Sequence, residues 1–278
     1  MSEKAILTGV IGNPLGHTKS PIMHNYWLQR YNINGYYVPI EVKGYDLRDV
    51  FKSLPKMGFK GVNVTIPFKI DAYDIMDKLS DRALKCGSVN TVTIMEGGKL
   101  YGDNTDCYGF IQNIEDNYPG FDFSRGKTIV LGAGGAARAV VAAVVSKGCK
   151  DVIIAARTIE NALEIVKSIK GNITVVGWDN RANILKYDDI NLLVNCTPLG
   201  MTGEDPLDLD LSELTRDALV TDVVYNPLDT ELLRNAANNG NPTVDGIGML
   251  VNQACPAFKA WFGVTPEFTI ELRDILLG

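Results

Sequence analysis

The amino-acid sequence predicts an α/β protein of two domains, one of which is built on a doubly wound parallel sheet. A length of 278 residues suits two domains better than one. From Gly126 onward, apolar runs typical of buried strands alternate with helical segments, and this alternation favours a parallel sheet with helices on both faces. Hydrophobic residues make up 46% of the chain and charged residues 22%, as in globular proteins and unlike disordered chains.

A glycine-rich turn marks the start of this sheet. Residues 128–140 have the sequence TIVLGAGGAARAV, in which a β-branched strand enters the turn and a helix continues to about Lys147. Gly132 and Gly134 lack the Cβ atoms that would keep the backbone away from a pyrophosphate, and Ala137 is small enough for close helix–strand packing. The free N–H groups at the helix start would face the phosphates. The stretch predicts a dinucleotide site, and the alternative is a tight turn that binds nothing.

The end of the second strand indicates which dinucleotide is bound. The further predicted elements are strands at 151–156, 173–176, 191–196 and 219–224, and a helix at 160–169. After the strand at 151–156, Arg157 and Thr158 stand where an NAD enzyme would offer an Asp or Glu to the ribose. Because the Arg157 guanidinium is a fixed, forked cation suited to a 2′-phosphate, the sequence favours NADP. The alternative for Arg157 is a surface residue that stacks on the adenine.

The first third of the chain carries two hydroxyls in a loop. A strand at 6–11 precedes this loop, and a helix follows with Ser20 as its N-cap and Pro21 in its first turn. The hydroxyls of Thr18 and Ser20 beside a helix N-terminus suit an anion such as a carboxylate. Alternatively, Ser20 only caps the helix and Thr18 is solvated. His17 is predicted to be a hydrogen-bonded loop residue and not a catalyst.

A third predicted strand, at 61–66, has a polar face. Alternation places Val62 and Ile66 on one face and Asn63 and Thr65 on the other. Together with Lys69, these polar side chains would line a pocket for a hydroxylated ligand. A solvated edge strand would give the same pattern.

A predicted hairpin and a polar loop come next. The hairpin pairs Ser88 to Met95 with Lys99 to Tyr101 across two glycines, and Asn90 lies in its first strand. Asp106 then precedes a predicted helix at 107–118. Its carboxylate is placed for proton transfer, or it serves simply as an N-cap.

Two C-terminal helices complete the predicted architecture, one from Asp245 to Phe262 and one from Val264 to Leu277. The predicted divisions are residues 1–105 for the first part of the substrate domain, 106–243 for the dinucleotide domain and 244–278 for the C-terminal helices.

Charge and composition exclude several classes of protein. The net charge is −6 and no basic cluster is present, so nucleic acid binding is not expected. The longest apolar run, at 139–145, is far short of the roughly 20 residues of a membrane span, and the N-terminus does not resemble a signal peptide. Five cysteines without a CxxC pair, and only two histidines, argue against a metal site. We expect a cytoplasmic monomer or homodimer that acts on a small molecule.

The order of the motifs points to a known family. Along the chain stand HTKSP, NVTIPFK, SVNT, GDNTD, GAGGAAR, NCTPLGM, DVVYNPLDT and GIGMLVNQA. In these motifs, which extend over essentially the whole chain, the sequence resembles the shikimate dehydrogenase family. The resemblance implies an N-terminal α/β substrate-binding domain, a Rossmann-like NADP-binding domain, and reversible reduction of 3-dehydroshikimate to shikimate in aromatic amino acid biosynthesis. Because Gln253 matches a substrate-binding residue of the family, we also expect both C-terminal helices to leave the sheet domain and pack on the first domain.

The resemblance also implies a role for each site residue. Lys69 matches the catalytic acid/base and Asp106 its partner, since oxidation of a secondary alcohol needs a base positioned to take the hydroxyl proton. The matched substrate-binding residues are Thr18 and Ser20 for the carboxylate, Asn63, Thr65, Asn90 and Gln253 for the ring hydroxyls, and Tyr225 near substrate and nicotinamide. The implied cofactor-binding residues are Gly132, Ala133, Gly134, Gly135, Ala136, Arg157, Thr158, Thr197, Val223, Gly246 and Met249.

The sequence departs from the family pattern at two places. Thr18 stands where the family usually has serine, which bears on whether quinate is also accepted. Ala156 and Asn161 replace the Asn and the second Arg of an NADP motif, so we expect a weaker preference for NADP than is usual. The alternatives are a quinate/shikimate dehydrogenase with relaxed substrate or NAD use, and a non-catalytic, ligand-binding regulator.

Overall fold

Two six-stranded sheets with their helices make up the protein in the computed structural model, which describes residues 4–16 and 18–278. One compact unit contains the described residues up to Thr105 and also Gln253–Gly278, and the other is Asp106–Asn252. The predicted α/β class is confirmed. The second compact unit ends at Asn252, and the chain rejoins the first unit at Gln253. The domain boundary between residues 243 and 244 stays a prediction.

The first unit contains a mixed sheet. Its elements up to Asp103 are β1 (Ile6–Gly12), α1 (Ser20–Arg30), β2 (Gly35–Glu41), α2 (Leu47–Ser53), β3 (Phe59–Val64), α3 (Lys69–Tyr73), β4 (Lys78–Leu79), α4 (Asp81–Cys86), β5 (Thr91–Ile94) and β6 (Leu100–Asp103). The strand order is β2-β1-β3-β5-β6-β4. β1 runs parallel to β2 and β3, whereas β5 is antiparallel to β3 and β6. β3 is therefore a central strand and not the solvated edge that its sequence also allowed.

The second unit contains a fully parallel sheet. Its elements are α5 (Asp106–Asn117), β7 (Lys127–Leu131), α6 (Gly135–Ser146), β8 (Asp151–Ala156), α7 (Ile159–Ser168), β9 (Asn172–Gly177), β10 (Ile190–Asn195), β11 (Leu219–Asp222), α8 (Glu231–Asn239) and β12 (Thr243–Val244). The order β12-β11-β10-β7-β8-β9 is that of a doubly wound dinucleotide-binding fold, whose strand order reverses between β7 and β10. The predicted doubly wound sheet is confirmed.

Two helices follow β12, namely α9 (Ile247–Phe262) and α10 (Ile270–Leu277). From Gln253 onward they belong to the first unit, as expected for helices that return to it. Because neighbouring strand residues point to opposite faces, Ile11 packs with Val62 and Phe51 on one face of the first sheet. Val10 instead packs with Trp261 of α9 on the other face. The returning helix thus covers the second face of the sheet.

Four local predictions need correction. Lys19 and not Ser20 is the N-cap of α1, and no capping side-chain bond forms there among the described residues. β3 ends at Val64, so Ile66 lies outside the alternation and is exposed. Asn90 precedes β5 and is not in a strand. The last helix begins at Ile270, because Pro266 disfavours helix before it and the Thr269 hydroxyl accepts the N–H of Leu272 at 3.2 Å.

The elements without a counterpart in the sequence prediction include α3, α8, β4 and β12. β4 and β12 are only two residues long, too short to show a periodicity. α8 has a strong start signal, since the Thr230 hydroxyl accepts the N–H of Leu233 at 3.4 Å, and the sequence interpretation did not use it.

The close approach of α9 to β3 predicts the effect of one substitution. A Cβ added at Gly61 would overlap both the indole nitrogen of Trp261 and the carbonyl oxygen of Val92. Trp261 Nε1 donates to that carbonyl at 3.2 Å, so neither group can move cheaply. Gly61→Ala should lower the free energy of unfolding by about 1–3 kcal/mol, as overpacking does, measured as a lower urea midpoint. Gly44→Ala is the control, because its Cβ would make only ordinary contact with Phe68; equal midpoints for the two variants would contradict this packing.

Candidate functional site

The carboxyl ends of β1 and β3 meet at one edge of the first sheet. The N–H of Thr65 donates to Ile11 O at 2.8 Å, and the N–H of Asn13 donates to Ile66 O at 3.0 Å. These bonds tie the loop that carries Thr18 to the end of β3. The Thr18 hydroxyl accepts the N–H of Ser20 at 3.4 Å. His17 lies outside the described residues.

A chain of buried polar side chains starts from this edge. Asn63 is 7% exposed, and its Nδ2 donates to Asn90 O at 3.2 Å and to the Thr91 hydroxyl at 3.1 Å. The Thr91 hydroxyl in turn donates to Asn90 Oδ1 at 3.0 Å. Asn90 Nδ2 donates to Gln253 Oε1 at 3.2 Å, which brings α9 to the same place. Three predicted substrate-binding residues from distant parts of the sequence thus join in one network.

Lys69 is fixed beside this network by its backbone. It begins α3, directly after the turn in which the N–H of Phe68 donates to Thr65 O at 2.9 Å. Its carbonyl accepts the N–H of Val89 at 2.8 Å, next to Asn90 in the chain. The Lys69 side chain is half-buried. The backbone of Lys69 is therefore held next to polar groups that suit a hydroxylated ligand.

Sequence reasoning did not find three residues of the network. Tyr37 donates its phenol proton to Asn63 Oδ1 at 2.8 Å. Thr91 links Asn63 to Asn90, and the N–H of Thr105 donates to Asn90 Oδ1 at 2.9 Å. The sequence of β2 gives no signal for Tyr37, because alternation places the apolar residues Tyr36, Val38 and Ile40 on the opposite face, although Tyr37 is the one buried residue of this strand.

In the second unit, the glycine turn has the shape that a pyrophosphate requires. Gly132 has φ +104°, and a Cβ there would lie 3.0 Å from Thr197 Cγ2, so no larger residue fits. At Gly134 no described atom lies within 4 Å of the Cβ position, which leaves space above the turn. Gly134 is also the N-cap of α6 and has no side chain to occupy the first N–H groups. These residues, with Gly135 and Ala136 in the first turn of α6, fit a dinucleotide phosphate.

The carboxyl ends of β10 and β11 are joined by a buried carboxylate. Asp222 Oδ1 accepts Asn195 Nδ2 and the N–H of Val224, each at 3.0 Å, and Oδ2 accepts the Thr230 hydroxyl at 2.8 Å. Asn195 Oδ1 accepts the hydroxyl of Thr197 at 2.7 Å. The two loops that carry the predicted cofactor residues Thr197 and Val223 are therefore connected through Asp222.

Gly246 lies against the same edge of the second sheet. A Cβ there would lie 2.6 Å from Val224 O and 2.9 Å from Val223 O, so the backbone packs closely on that loop. Met249 is buried in the core on one face of the sheet. Tyr225 is half-buried in the loop after β11.

The predicted 2′-phosphate residues lie at the exposed end of β8. Arg157 and Thr158 are exposed, whereas Ala156 is buried in the core. Thr158 is the N-cap of α7, yet its side chain makes no capping bond to any described residue. The α7 N-terminus and the Arg157 guanidinium thus offer positive charge at one place.

Asp106, the first residue of α5, is buried.

Among the described residues, no group of three or more His, Cys, Asp or Glu side chains is arranged to hold a metal ion. No helix in residues 4–16 and 18–278 is long and apolar enough to cross a membrane.

Burial of the Asp222 carboxyl predicts a pH dependence. Burial raises its pKa from 3.8 to about 6, against the lowering effect of its three hydrogen bonds. As pH rises from about 4 to 6, the unfolded chain ionises first, so this carboxyl costs the folded state up to about 3 kcal/mol. Asp222→Asn, which keeps the shape of the group, should gain stability over the wild type across this window. The gain should then stay constant above about pH 7.

Urea midpoints of the wild type and Asp222→Asn between pH 4 and 8 check this expectation. The exposed Asp205→Asn variant reports the effect of removing one negative charge without burial. A difference between the wild type and Asp222→Asn that does not change with pH would show that Asp222 is not a buried, titrating group.

Comparison with known proteins gives consistent matches along the chain. The family models are "Shikimate dehydrogenase substrate binding domain" at residues 10–92, "Shikimate / quinate 5-dehydrogenase" at 115–199 and "Shikimate 5'-dehydrogenase C-terminal domain" at 246–270. Shikimate dehydrogenase (NADP(+)) of Dinoroseobacter shibae is 49% identical over 275 residues, which are 99% of this chain and 98% of that protein.

Solved structures agree with these matches. The shikimate dehydrogenase of Aquifex aeolicus superposes with a TM-score of 0.88 at 33% identity, covering 99% of both chains. The quinate dehydrogenase of Corynebacterium glutamicum, solved in complex with NAD, has a TM-score of 0.89 at 31% identity over 98% of this chain and 99% of that chain. The chain belongs to the shikimate dehydrogenase family.

Proposed function

We propose that the protein is an NADP-dependent shikimate dehydrogenase that reversibly reduces 3-dehydroshikimate to shikimate. The observation that carries the proposal is the buried network that joins Asn63, Asn90 and Gln253 next to the backbone of Lys69. Amide groups from separate parts of the chain, held at fixed positions, suit a small ring with several hydroxyls. The name of the 49% identical relative states the same activity.

In this proposal each polar group of the first unit binds one part of the substrate. The hydroxyls of Thr18 and Ser20 donate to the carboxylate. Asn63, Thr65, Asn90 and Gln253 bind the ring hydroxyls. Tyr225, a residue of the second unit, is assigned to the substrate and nicotinamide by the family resemblance. Such groups orient the reacting carbon and lower the entropic part of the barrier.

Lys69 moves the proton. In the direction of reduction its ammonium group donates a proton to the carbonyl oxygen as that oxygen gains negative charge, and in the direction of oxidation its amine removes the hydroxyl proton. Asp106 assists as the partner of Lys69. The nicotinamide, when bound, supplies or accepts the hydride.

The cofactor is held by backbone groups and by one cation. The α6 N-terminus, with Gly132, Ala133, Gly134, Gly135 and Ala136, receives the pyrophosphate. Arg157 and Thr158 at the α7 N-terminus receive the 2′-phosphate, and Thr197, Val223, Gly246 and Met249 line the nicotinamide side. The free space at Gly134 and the uncapped α7 N-terminus support this assignment.

Quinate is the second candidate substrate. Thr18 adds a methyl group where the family usually has serine, and the quinate dehydrogenase of Corynebacterium glutamicum is a close structural match. Comparable rates with quinate would extend the proposed activity and would not replace it.

The proposal extends to location and assembly. The five cysteines are scattered along the sequence without a CxxC pair, which supports a reducing compartment, and we place the enzyme in the cytoplasm. We propose that it works on a small-molecule substrate as a monomer or homodimer, without nucleic acid or membrane partners. The net charge of −6 supports the absence of nucleic acid binding.

Initial rates of shikimate and quinate oxidation, each with NADP and NAD, test the function. The wild type should oxidise shikimate with NADP fastest. Lys69→Ala should lower kcat by roughly 10²–10⁴-fold, because general acid–base catalysis contributes that much, while shikimate binding measured by calorimetry persists. Lys60→Ala, an exposed lysine of β3, is the control and should keep the wild-type rate. A Lys69→Ala enzyme within three-fold of the wild type would rule out the acid/base role.

Cofactor preference tests the role of Arg157. Arg157→Ala should lower kcat/KM for NADP by roughly 10–100-fold, since a hydrogen bond to a charged group contributes about 1.5–3 kcal/mol, and should leave NAD unchanged. Lys150→Ala removes an exposed cation just before the opposite end of the same strand, and it should change neither value. If the preference for NADP survives in Arg157→Ala, the 2′-phosphate binds elsewhere.

A further inference from the structure

Tyr37 lies beside two of the proposed substrate-binding residues and has no assigned role. Its side chain is 2% exposed, and its phenol oxygen donates to Asn63 Oδ1 at 2.8 Å. Burial raises the pKa of this phenol, and the nearby Ser20 side chain opposes that rise. In the proposed function, Ser20 binds the substrate carboxylate and Asn63 a ring hydroxyl. The phenol of Tyr37 therefore bonds one proposed substrate-binding residue and lies near another.

The backbone determines which way the Asn63 amide faces. The carbonyl oxygen of Asn90 can only accept a hydrogen bond, so the group 3.2 Å from it must be the Asn63 nitrogen. The second amide hydrogen is directed to the Thr91 hydroxyl at 3.1 Å. The Asn63 oxygen therefore faces Tyr37, and the phenol proton must be given to it.

This orientation decides what Asn63 can offer a ligand. Within the described contacts both amide hydrogens are engaged, and one lone pair of Oδ1 is taken by Tyr37. The second lone pair of Oδ1 remains. A ligand group at Asn63 must therefore donate a hydrogen bond, as a hydroxyl does and as a carbonyl or carboxylate oxygen cannot.

The Tyr37 ring is held independently of its hydroxyl. Its backbone N–H and carbonyl are both bound by the Asn25 side chain, at 3.0 and 2.9 Å. The ring stacks on His24 with centroids 4.0 Å apart and an interplanar angle of 4°. Removal of the hydroxyl alone should therefore leave the ring in place. Burial raises the pKa of Tyr37 well above its ordinary value, so the phenol keeps its proton.

We propose that Tyr37 is a positioning residue for substrate specificity. It occupies one lone pair of Asn63 Oδ1 and so holds this oxygen, which the backbone has already oriented, where its second lone pair accepts a hydroxyl of the substrate. The inference rests on the proposed function, because it assigns the ligand of Asn63 as a ring hydroxyl. Without the phenol proton, Asn63 Oδ1 loses its fixed donor and the substrate hydroxyl meets a less ordered acceptor.

Steady-state kinetics of Tyr37→Phe test the proposal. KM for shikimate should rise about 5–10-fold, the size expected for one hydrogen bond, while kcat stays within two-fold and KM for NADP is unchanged. Tyr36→Phe is the matched control, because the neighbouring tyrosine is 59% exposed, and it should match the wild type. A purely structural role would lower the melting temperature of Tyr37→Phe without this separation of KM from kcat.

Double variants identify the residue through which Tyr37 acts. In an Asn63→Ala background, Tyr37→Phe should change kcat/KM for shikimate by less than two-fold, whereas in a Ser20→Ala background it should keep its full effect. A full effect in the Asn63→Ala background, or an unchanged KM in the single variant, would overturn the role of Tyr37 in an enzyme that still oxidises shikimate. A wild-type protein that does not oxidise shikimate with NADP would overturn the proposed function itself, and this role with it.

Discussion

Two backbone groups, the carbonyl of Asn90 and the N–H of Thr105, fix the direction of a whole chain of side-chain hydrogen bonds. The carbonyl can only accept and the N–H can only donate, so each sets the orientation of one amide, at Asn63 and at Asn90. From these follow the donor role of Tyr37 toward Asn63 and the acceptor role of the Gln253 oxygen. Because unpaired polar groups are costly when buried, this arrangement is the one the fold must keep.

The two units recognise ligands by different physical means. In the first unit the groups available to a ligand are side chains, and their identity and orientation set the specificity. In the second unit the glycine turn presents backbone N–H groups. This turn depends on the absence of side chains, since a Cβ at Gly132 would be strained and the space at Gly134 is open. Asp222 then holds two loops of that sheet together with three hydrogen bonds, although burial opposes its charge. A carboxylate kept at such a cost is consistent with loops that must hold one conformation.

Sequence patterns predicted the parts of the fold that depend on periodicity. The parallel sheet and its glycine turn follow from strand–helix alternation over long segments, whereas the return of the last helices came from the family match of Gln253. The errors at Ser20, Ile66 and Asn90 lie at element ends, where a single hydrogen bond or a proline decides the boundary. The roles of the site residues came from the family resemblance, and the geometry adds which of them share one network. The role of Tyr37 was not predicted, because a tyrosine on a strand cannot be told from a core residue until the hydrogen-bond partner of its hydroxyl is known.

The preference for NADP over NAD depends on the positive charge that the end of β8 and the start of α7 offer to a 2′-phosphate. Arg157 is exposed, so water and salt weaken its proposed attraction for a 2′-phosphate, and the effect expected of it is that of a single charged hydrogen bond. The second arginine of the family pattern is replaced by Asn161, so no second arginine is present at that position. The α7 N-terminus adds positive charge that does not depend on a side chain, and Thr158 leaves it uncapped among the described residues. In the proposed function Arg157 therefore supplies most of the preference for NADP, and the helix terminus adds to it.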